Sequence, residues 1–375
     1  TMKTGDKTMK KIHRTLSLFT VAAMCAALLC SCGAVSDSSQ TDSSSKADTT
    51  TTADTTADTT TTGEASSTAS ATSAPDSSVS DSSSAVTDDT KTNGITPAMW
   101  KVTSPEGSTM VMLGSFHALK DECYPLPEAV TNAYNNADIL AVECDITSTS
   151  EDGEYMKNLM KQMLYNDNTK LSQHISEEAY SALQTYLGYW GMDISALEVY
   201  RPWAVSSTLD TLLIQDSDFD TEKGLDNYLL TTAHADGKEI YEVESVDFQM
   251  NLLINFSDDI YDLMFRSYEG ETKESQKQAL EDLYTAWKSG DIETFLEEDN
   301  EEELAGYTEE DKKIAEDYNN QMLYDRNKNM AIAAEDLMSQ GKNVFYVVGA
   351  AHYAGEGGII DLLEKDGYTA ERVQY

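Results

Sequence analysis

Two four-residue segments stand out for the chemistry they could perform. Gly114-Ser115-Phe116-His117 follows the apolar run Met110 to Leu113, and Gly349-Ala350-Ala351-His352 follows the apolar run Val344 to Val348. In an open α/β sheet, ligands bind just beyond the carboxyl ends of the strands. A glycine at that place lets the chain turn sharply, so that the histidine after it can point back over the sheet edge. Two further apolar runs, Ile139 to Val142 and Ile240 to Val243, end in the carboxylates Glu143 and Glu244. Two imidazoles and one or two carboxylates gathered at one edge would suit a divalent metal such as Mn, Fe, Co or Zn. A single Gly-x-x-His is commonplace, and a lone histidine at a strand end is ordinarily a hydrogen-bonded structural residue. Two copies in a chain with five histidines are more informative. His174, before a helix cap, and His234, near a helix end, read as surface residues.

The elements that must position these side chains follow from periodicity. The four apolar runs have strand character and are separated by segments with helical spacing, which predicts an α/β domain whose central sheet is mostly parallel and flanked by helices. One helix follows Pro127, with Ala129, Val130, Ala133, Tyr134 and Ala137 on one face. Another runs from the cap Ser176 to Gly188, and a third runs from Asp226 to a stop at Gly237. From about 255 to 340 strand signals vanish. That stretch reads as a helical insertion or lid, with one helix stopping at Gly290 and a very long one starting at the capping box Thr308-Glu309-Glu310-Asp311. A Gly-rich turn, a helix from Ile359 to Lys365 and a short last strand complete the chain.

The first third reads as an address. Lys10, Lys11 and Arg14 precede the apolar run Leu16 to Leu29 and then Ser31-Cys32-Gly33, the layout of a signal sequence. The run is shorter than the ~18 residues a lone membrane-spanning helix requires. Residues 1–32 are therefore expected to be a lipoprotein signal, with Cys32 the lipidated residue in a segment that resembles a bacterial lipobox; ordinary cleavage and free secretion is the alternative. Residues 33–95 are almost wholly Ser, Thr, Asp and Ala, too poor in apolar surface to offset their ordering entropy. They are expected to form a tether with a reach on the order of 45 Å, holding the domain of residues 96–375 at the outer face of the cytoplasmic membrane.

The formal net charge of −40 falls almost entirely on that domain, which argues against nucleic acid as a partner. Stretches such as Glu297 to Glu303 read as solvated helix faces, and cationic peptides or divalent metals remain as ligand classes. With Cys25 and Cys30 in the signal, the domain has Cys123 and Cys144, no basis for a disulfide framework. Cys144 reads as a buried small apolar residue. Gly355-Glu356-Gly357-Gly358 reads as a tight turn, its alternative being an anion site.

The segments Leu113-Gly114-Ser115-Phe116-His117, Tyr124-Pro125-Leu126-Pro127, Ala137-Asp138 and Val142-Glu143 together resemble the opening of the TraB/GumN proteins, relatives of the Tiki metalloproteases. The resemblance continues through Arg201-Pro202-Trp203, Gly224-Leu225-Asp226, Glu244 with Gln249, Trp287 with Gly290-Asp291, Arg326-Asn327 and the ending Val348 to Gly355, and so covers nearly all of residues 96–375. It implies a metal-dependent hydrolase. By position, His117, Glu143 and His352 become metal-ligand candidates. Glu143 and Glu244 become catalytic candidates, Glu244 as a further ligand or as the general base that takes a proton from metal-bound water. Arg201 and Arg326 would orient carboxylates or bind substrate charge, a structural salt bridge being the alternative for each.

The chain contains neither Gly-x-Ser-x-Gly nor His-Glu-x-x-His, and no phosphate-loop signature. The expectation is an extracytoplasmic metal-dependent hydrolase acting on a peptide bond of a peptide or protein substrate. A non-catalytic, tethered peptide- or protein-binding lipoprotein is the alternative.

Overall fold

A computed structural model describes residues 94–147, 153–296 and 307–375. The expected signal, the lipidation site Cys32 and nearly all of the tether lie outside these residues. The strands are β1 Met99–Thr103, β2 Thr109–Ser115, β3 Ile139–Val142, β4 Glu239–Glu242, β5 Val344–Gly349 and β6 Thr369–Arg372. They form one sheet in the order β4-β3-β5-β2-β1-β6. β2, β5, β3 and β4 run parallel, and β1 is antiparallel to both β2 and β6.

Composition explains the order. β3 and β5 are apolar throughout and buried at every position, as strands covered on both faces must be. β4 and β6 carry Glu239, Glu242, Glu371 and Arg372 and stand largely exposed. Charged side chains on the outermost strands discourage pairing with another chain. β1, which the sequence reading did not anticipate, mixes Lys101 and Thr103 with its apolar residues and joins β2 through a tight turn closed by Ser104 N–H to Ser108 O, 2.8 Å.

The helices named in chain order are α1 Glu128–Asn136, α2 Gly153–Gln162, α3 Glu177–Gly188, α4 Pro202–Gln215, α5 Leu225–Asp236, α6 Val246–Asn255, α7 Asp258–Arg266, α8 Lys273–Ser289, α9 Glu309–Asn319, α10 Asp325–Ser339 and α11 Ile359–Lys365. The expected punctuation is present. Ser176 caps α3 through Ala179 N–H, Gly237 and Gly290 end α5 and α8 in the left-handed conformation, and Thr308 and Asp311 cap α9 reciprocally. The long helix is interrupted by a π turn, Asn320–Tyr324, between α9 and α10.

Two apolar clusters result. One surrounds the sheet and includes Leu280, Leu283 and Trp287 of α8. The other is mostly helical and draws on α2, α3, α4, α6 and α7 with Tyr318 and Met322, together with Cys144 beyond β3. The helical layer is thus built from two stretches of chain, one before β4 and one after it, where the sequence reading saw a single insertion from 255 to 340. The part of that insertion formed by α8 covers the sheet instead, tied to the end of β2 by the Trp287 indole N–H donating to Gly114 O at 2.9 Å.

Candidate functional site

The register of the parallel strands lines up their carboxyl ends. Ser115 pairs with Gly349, and Val142 pairs with both Val347 and Glu242. His117, Glu143, Glu244 and His352 therefore leave the same edge of the sheet. β5 lies between β2 and β3, which sets Gly349 among the side chains that follow its neighbours. A Cβ built on Gly349 would stand 3.1 Å from Glu143 Oε1, 3.6 Å from His352 Cδ2 and 3.7 Å from His117 Nε2. The absence of a side chain at Gly349 leaves room for these groups to converge.

Each histidine is held by its Nδ1. His117 Nδ1 lies 2.7 Å from Asp226 Oδ2, while Asp226 Oδ1 accepts from the Ser115 hydroxyl at 2.5 Å. Gly224 makes this possible. A Cβ there would sit 2.1 Å from His117 O, so only glycine lets the start of α5 close on the β2 turn, where Leu225 N–H donates to Phe116 O at 3.0 Å. His352 Nδ1 lies 2.6 Å from Asn327 Oδ1, and the Asn327 amide donates to Gly357 O at 2.9 Å. With the amide so oriented, His352 must donate from Nδ1, which leaves Nε2 facing Glu143 Oε1 at 3.7 Å. The Gly-rich turn at 355–358 is an internally bonded turn, its Gly357 N–H held by Asp361 at 2.6 Å, and it serves to orient Asn327.

The carboxylates are held as firmly. Glu143 Oε1 accepts the Gly349 N–H at 2.7 Å, and its Oε2 accepts from Gln249 and Arg326, each at 2.9 Å. Arg326 reaches Glu244 through Nε and NH2, both at 2.8 Å, and Gln249 donates to Glu244 Oε2 at 2.7 Å. Burial alone would raise the Glu143 pKa, but the nearby Arg326 charge, helped by the two imidazoles and the Gly349 N–H, holds it well below the usual carboxylate range. Burial would lower the His117 pKa, yet the Asp226 charge and hydrogen bond prevail and raise it to about 9. Burial and the Arg326 charge push His352 down to about 3 against the attraction of Glu143. Adjacent imidazoles thus prefer opposite charge states.

The structure brings His117, Glu143, His352 and Arg326 into one cleft, also lined by Asp226 and Gln249. Glu244 sits behind Arg326. Both of its oxygens are committed to Arg326 and Gln249, surroundings that suit a group fixing Arg326 better than one accepting a proton from water. The Arg326 guanidinium is spent on the two glutamates and on Met322 O, which leaves it positioned to orient them instead of meeting a substrate. Arg201 is not brought to the cleft; it occupies the position before α4 without a side-chain cap bond, and its guanidinium donates to Ile254 O at 3.4 Å. Sequence reasoning assigned no role to Asp226, Asn327 or Gln249, although each stood in a segment already singled out. Cys123 and Cys144 are buried and unpaired, Cys144 donating to Gln249 Oε1 at 3.3 Å. His174 is packed on Tyr165 and bonded to Asp258, and the half-exposed His234 meets Asp145.

Among the described residues, no three His, Cys, Asp or Glu side chains enclose a metal position as they stand. The donors nonetheless suit a divalent ion in kind, two imidazoles and a carboxylate. Bonds of ~2.1 Å at a tetrahedral centre put two donor atoms ~3.4 Å apart, close to the 3.7 Å between His352 Nε2 and Glu143 Oε1. Fixing of ligand histidines through Nδ1 by a carboxylate or amide is the usual outer support of such centres.

The TraB/PrgY/gumN family model matches residues 98–372. A protein named Metalloprotease TIKI homolog, from Nematostella vectensis, is 25% identical over 293 residues, covering 66% of this chain and 61% of that protein. The uncharacterized protein YbaP of Escherichia coli strain K12 is 26% identical over 157 residues, covering 42% of this chain and 56% of its own, and YbaP of Shigella flexneri matches to the same extent. The chain therefore spans about 60% of the length of these curated relatives. No solved structure matches it.

Proposed function

We propose that this chain, which belongs to the TraB/PrgY/gumN family, is an extracytoplasmic metal-dependent hydrolase acting on a peptide bond. His117, Glu143 and His352 would hold a divalent ion, with Mn, Co, Fe and Zn as candidates. The observation that supports this most is the convergence of two Nδ1-anchored histidines and Glu143 about Gly349. Charge points the same way, since Glu143 and Glu244 share the Arg326 guanidinium and Asp226 faces His117, which leaves the three carboxylates in excess of the cations. The bound ion would supply a Lewis acid for the scissile carbonyl and lower the pKa of water.

The protein side chains do the positioning. Asp226 and Asn327 fix the two imidazole planes, the first through a charged partner and the second through a neutral one. Arg326 and Gln249 hold the Glu143 carboxylate in one orientation, and Glu244 fixes Arg326 in turn. The apolar residues of the cleft exclude water from the reacting bond, which strengthens every charge interaction inside it. A lipid on Cys32 and the tether of residues 33–95 would keep the domain outside the membrane; no helix among the described residues is long and apolar enough to cross a membrane.

A second reading, a tethered protein that captures peptides without cutting them, is favoured by one observation: the donors do not enclose an ion as they stand. Metal content of the full chain, purified without chelator, separates the two readings when set beside the His117→Ala/His352→Ala double variant. A near-stoichiometric transition metal lost in the double variant, with peptide cleavage followed by mass spectrometry, is the expected result. No metal in either protein after reconstitution would leave the binding reading.

A further inference from the structure

The cleft beside the two histidines has an apolar wall to which no part in choosing a substrate has been assigned. Phe116, Ile214, Leu280 and Phe295 line it, and all four belong to the cluster that surrounds the sheet. Phe116 directly precedes His117, and its ring is boxed in by those of Phe219, Tyr284, Trp287 and Phe295 at centroid separations of 6.0–6.5 Å. That packing holds the wall rigid next to a candidate ligand. The helical cluster adds Leu253, Tyr318 and Met322 to the lining.

The charged and imidazole side chains that line the cleft are Glu143, Asp226, Arg326, His117 and His352, the last held by Asn327. All are engaged with one another or with the histidines, Glu143 with Arg326 and Asp226 with His117. None is left to meet a charged group of a substrate. A charged substrate side chain entering here would lose its water without gaining a partner, which is costly. An apolar one would gain from burial, and large apolar groups are distinguished from small ones by about 10- to 100-fold in such pockets.

We infer that Phe116, Ile214, Leu280 and Phe295 form the specificity subsite for a large apolar side chain, leucine- or phenylalanine-like, next to the peptide bond held at the histidines. The inference rests on reading the site as one that takes peptides. It assigns the acidic exterior no part in this choice, since the residue recognised is uncharged.

The test uses the full chain and a series of fluorescent peptides, Ala-Ala-Xaa-Ala-Ala, with Xaa as Trp, Phe, Leu, Ala, Lys or Glu. Binding is read by anisotropy on metal-free protein, and cleavage by mass spectrometry after addition of Mn, Co or Zn. Phe and Leu peptides are expected to bind about 10- to 100-fold more tightly than Ala, and Lys and Glu peptides more weakly than Ala. Leu280→Phe should narrow the subsite and bring Phe and Leu down to the level of Ala. Leu280→Ala should widen it and admit Trp. Equal binding of Lys, Glu and Phe peptides, or an unchanged order in both variants at wild-type Tm, overturns the subsite. Apolar preference in binding without cleavage under any metal would keep the subsite and remove the hydrolase, whereas cleavage indifferent to Xaa would keep the hydrolase and remove the subsite.

Discussion

Two buried carboxylates in different parts of the molecule have opposite fates. Glu143, at the sheet edge, accepts from Arg326, Gln249 and the Gly349 N–H and is held ionised. Asp210, in the middle of α4, is just as deeply buried, but its Oδ2 has no hydrogen-bond partner, and burial alone drives its pKa well above the usual value. Depth of burial therefore does not decide whether a carboxylate carries charge here. What decides it is whether the fold delivers a cation and N–H groups to the same place.

Removing the cation should have the largest effect. Arg326→Met would strand Glu143 and Glu244 together, and the expected loss is about 3–5 kcal/mol in urea unfolding. A loss under about 1 kcal/mol would mean that the other donors suffice and that the contrast with Asp210 is overstated.

A smaller effect is expected from Asp226→Asn, which keeps the shape beside His117 but removes its charged partner. With a folded pKa of about 9 against an ordinary 6.5, His117 contributes stability that is full below pH 6.5 and lost as pH rises through 9. In the metal-free variant that contribution should vanish and the His117 pKa, followed by NMR titration, should fall from about 9. Metal affinity should drop about 10- to 100-fold. An unmoved titration would show that Asp226 does not set the charge of the ring.

Asp210→Asn sharpens the other half of the comparison. The unfolded carboxyl ionises above 3.8 whereas the folded one stays neutral, so Asp210 destabilises the native state progressively as pH rises from there. Relative to wild type, the variant should gain about 1.4 kcal/mol per pH unit until the folded carboxyl itself ionises. Unfolding series at pH 5, 6 and 7 would reveal this, and a constant difference across them would mean that Asp210 has a partner in the folded protein.

Some of this was legible in the sequence because it is local. The continuous apolar runs of β3 and β5, the glycine stops at Gly237 and Gly290, and the capping box at Thr308 depend on neighbours within a few residues. β1 escaped because Met99-Trp100-Lys101-Val102-Thr103 has neither clean alternation nor a full apolar run. The placement of β5 between β2 and β3 is a matter of topology, which no local pattern encodes. Asp226 and Asn327 stood in noted segments without a role for the same reason. Their meaning lies in which nitrogen they face across the fold, 2.7 Å and 2.6 Å away, and that geometry exists only after the helices have docked. Arg201 shows the converse, a residue conspicuous in the sequence whose neighbours turn out to be those of a helix start.

The central position of β5 also has a consequence in time. β2 and β3 share no hydrogen bonds; each pairs with β5, which follows both of them in the chain. A growing or threading chain can make both earlier strands and all the helices between them while His117 and Glu143 still lack the strand that joins their positions. The cleft thus comes into being only when β5 docks, and a chain that stops short of Val344 would have its histidine and glutamate on unconnected strands.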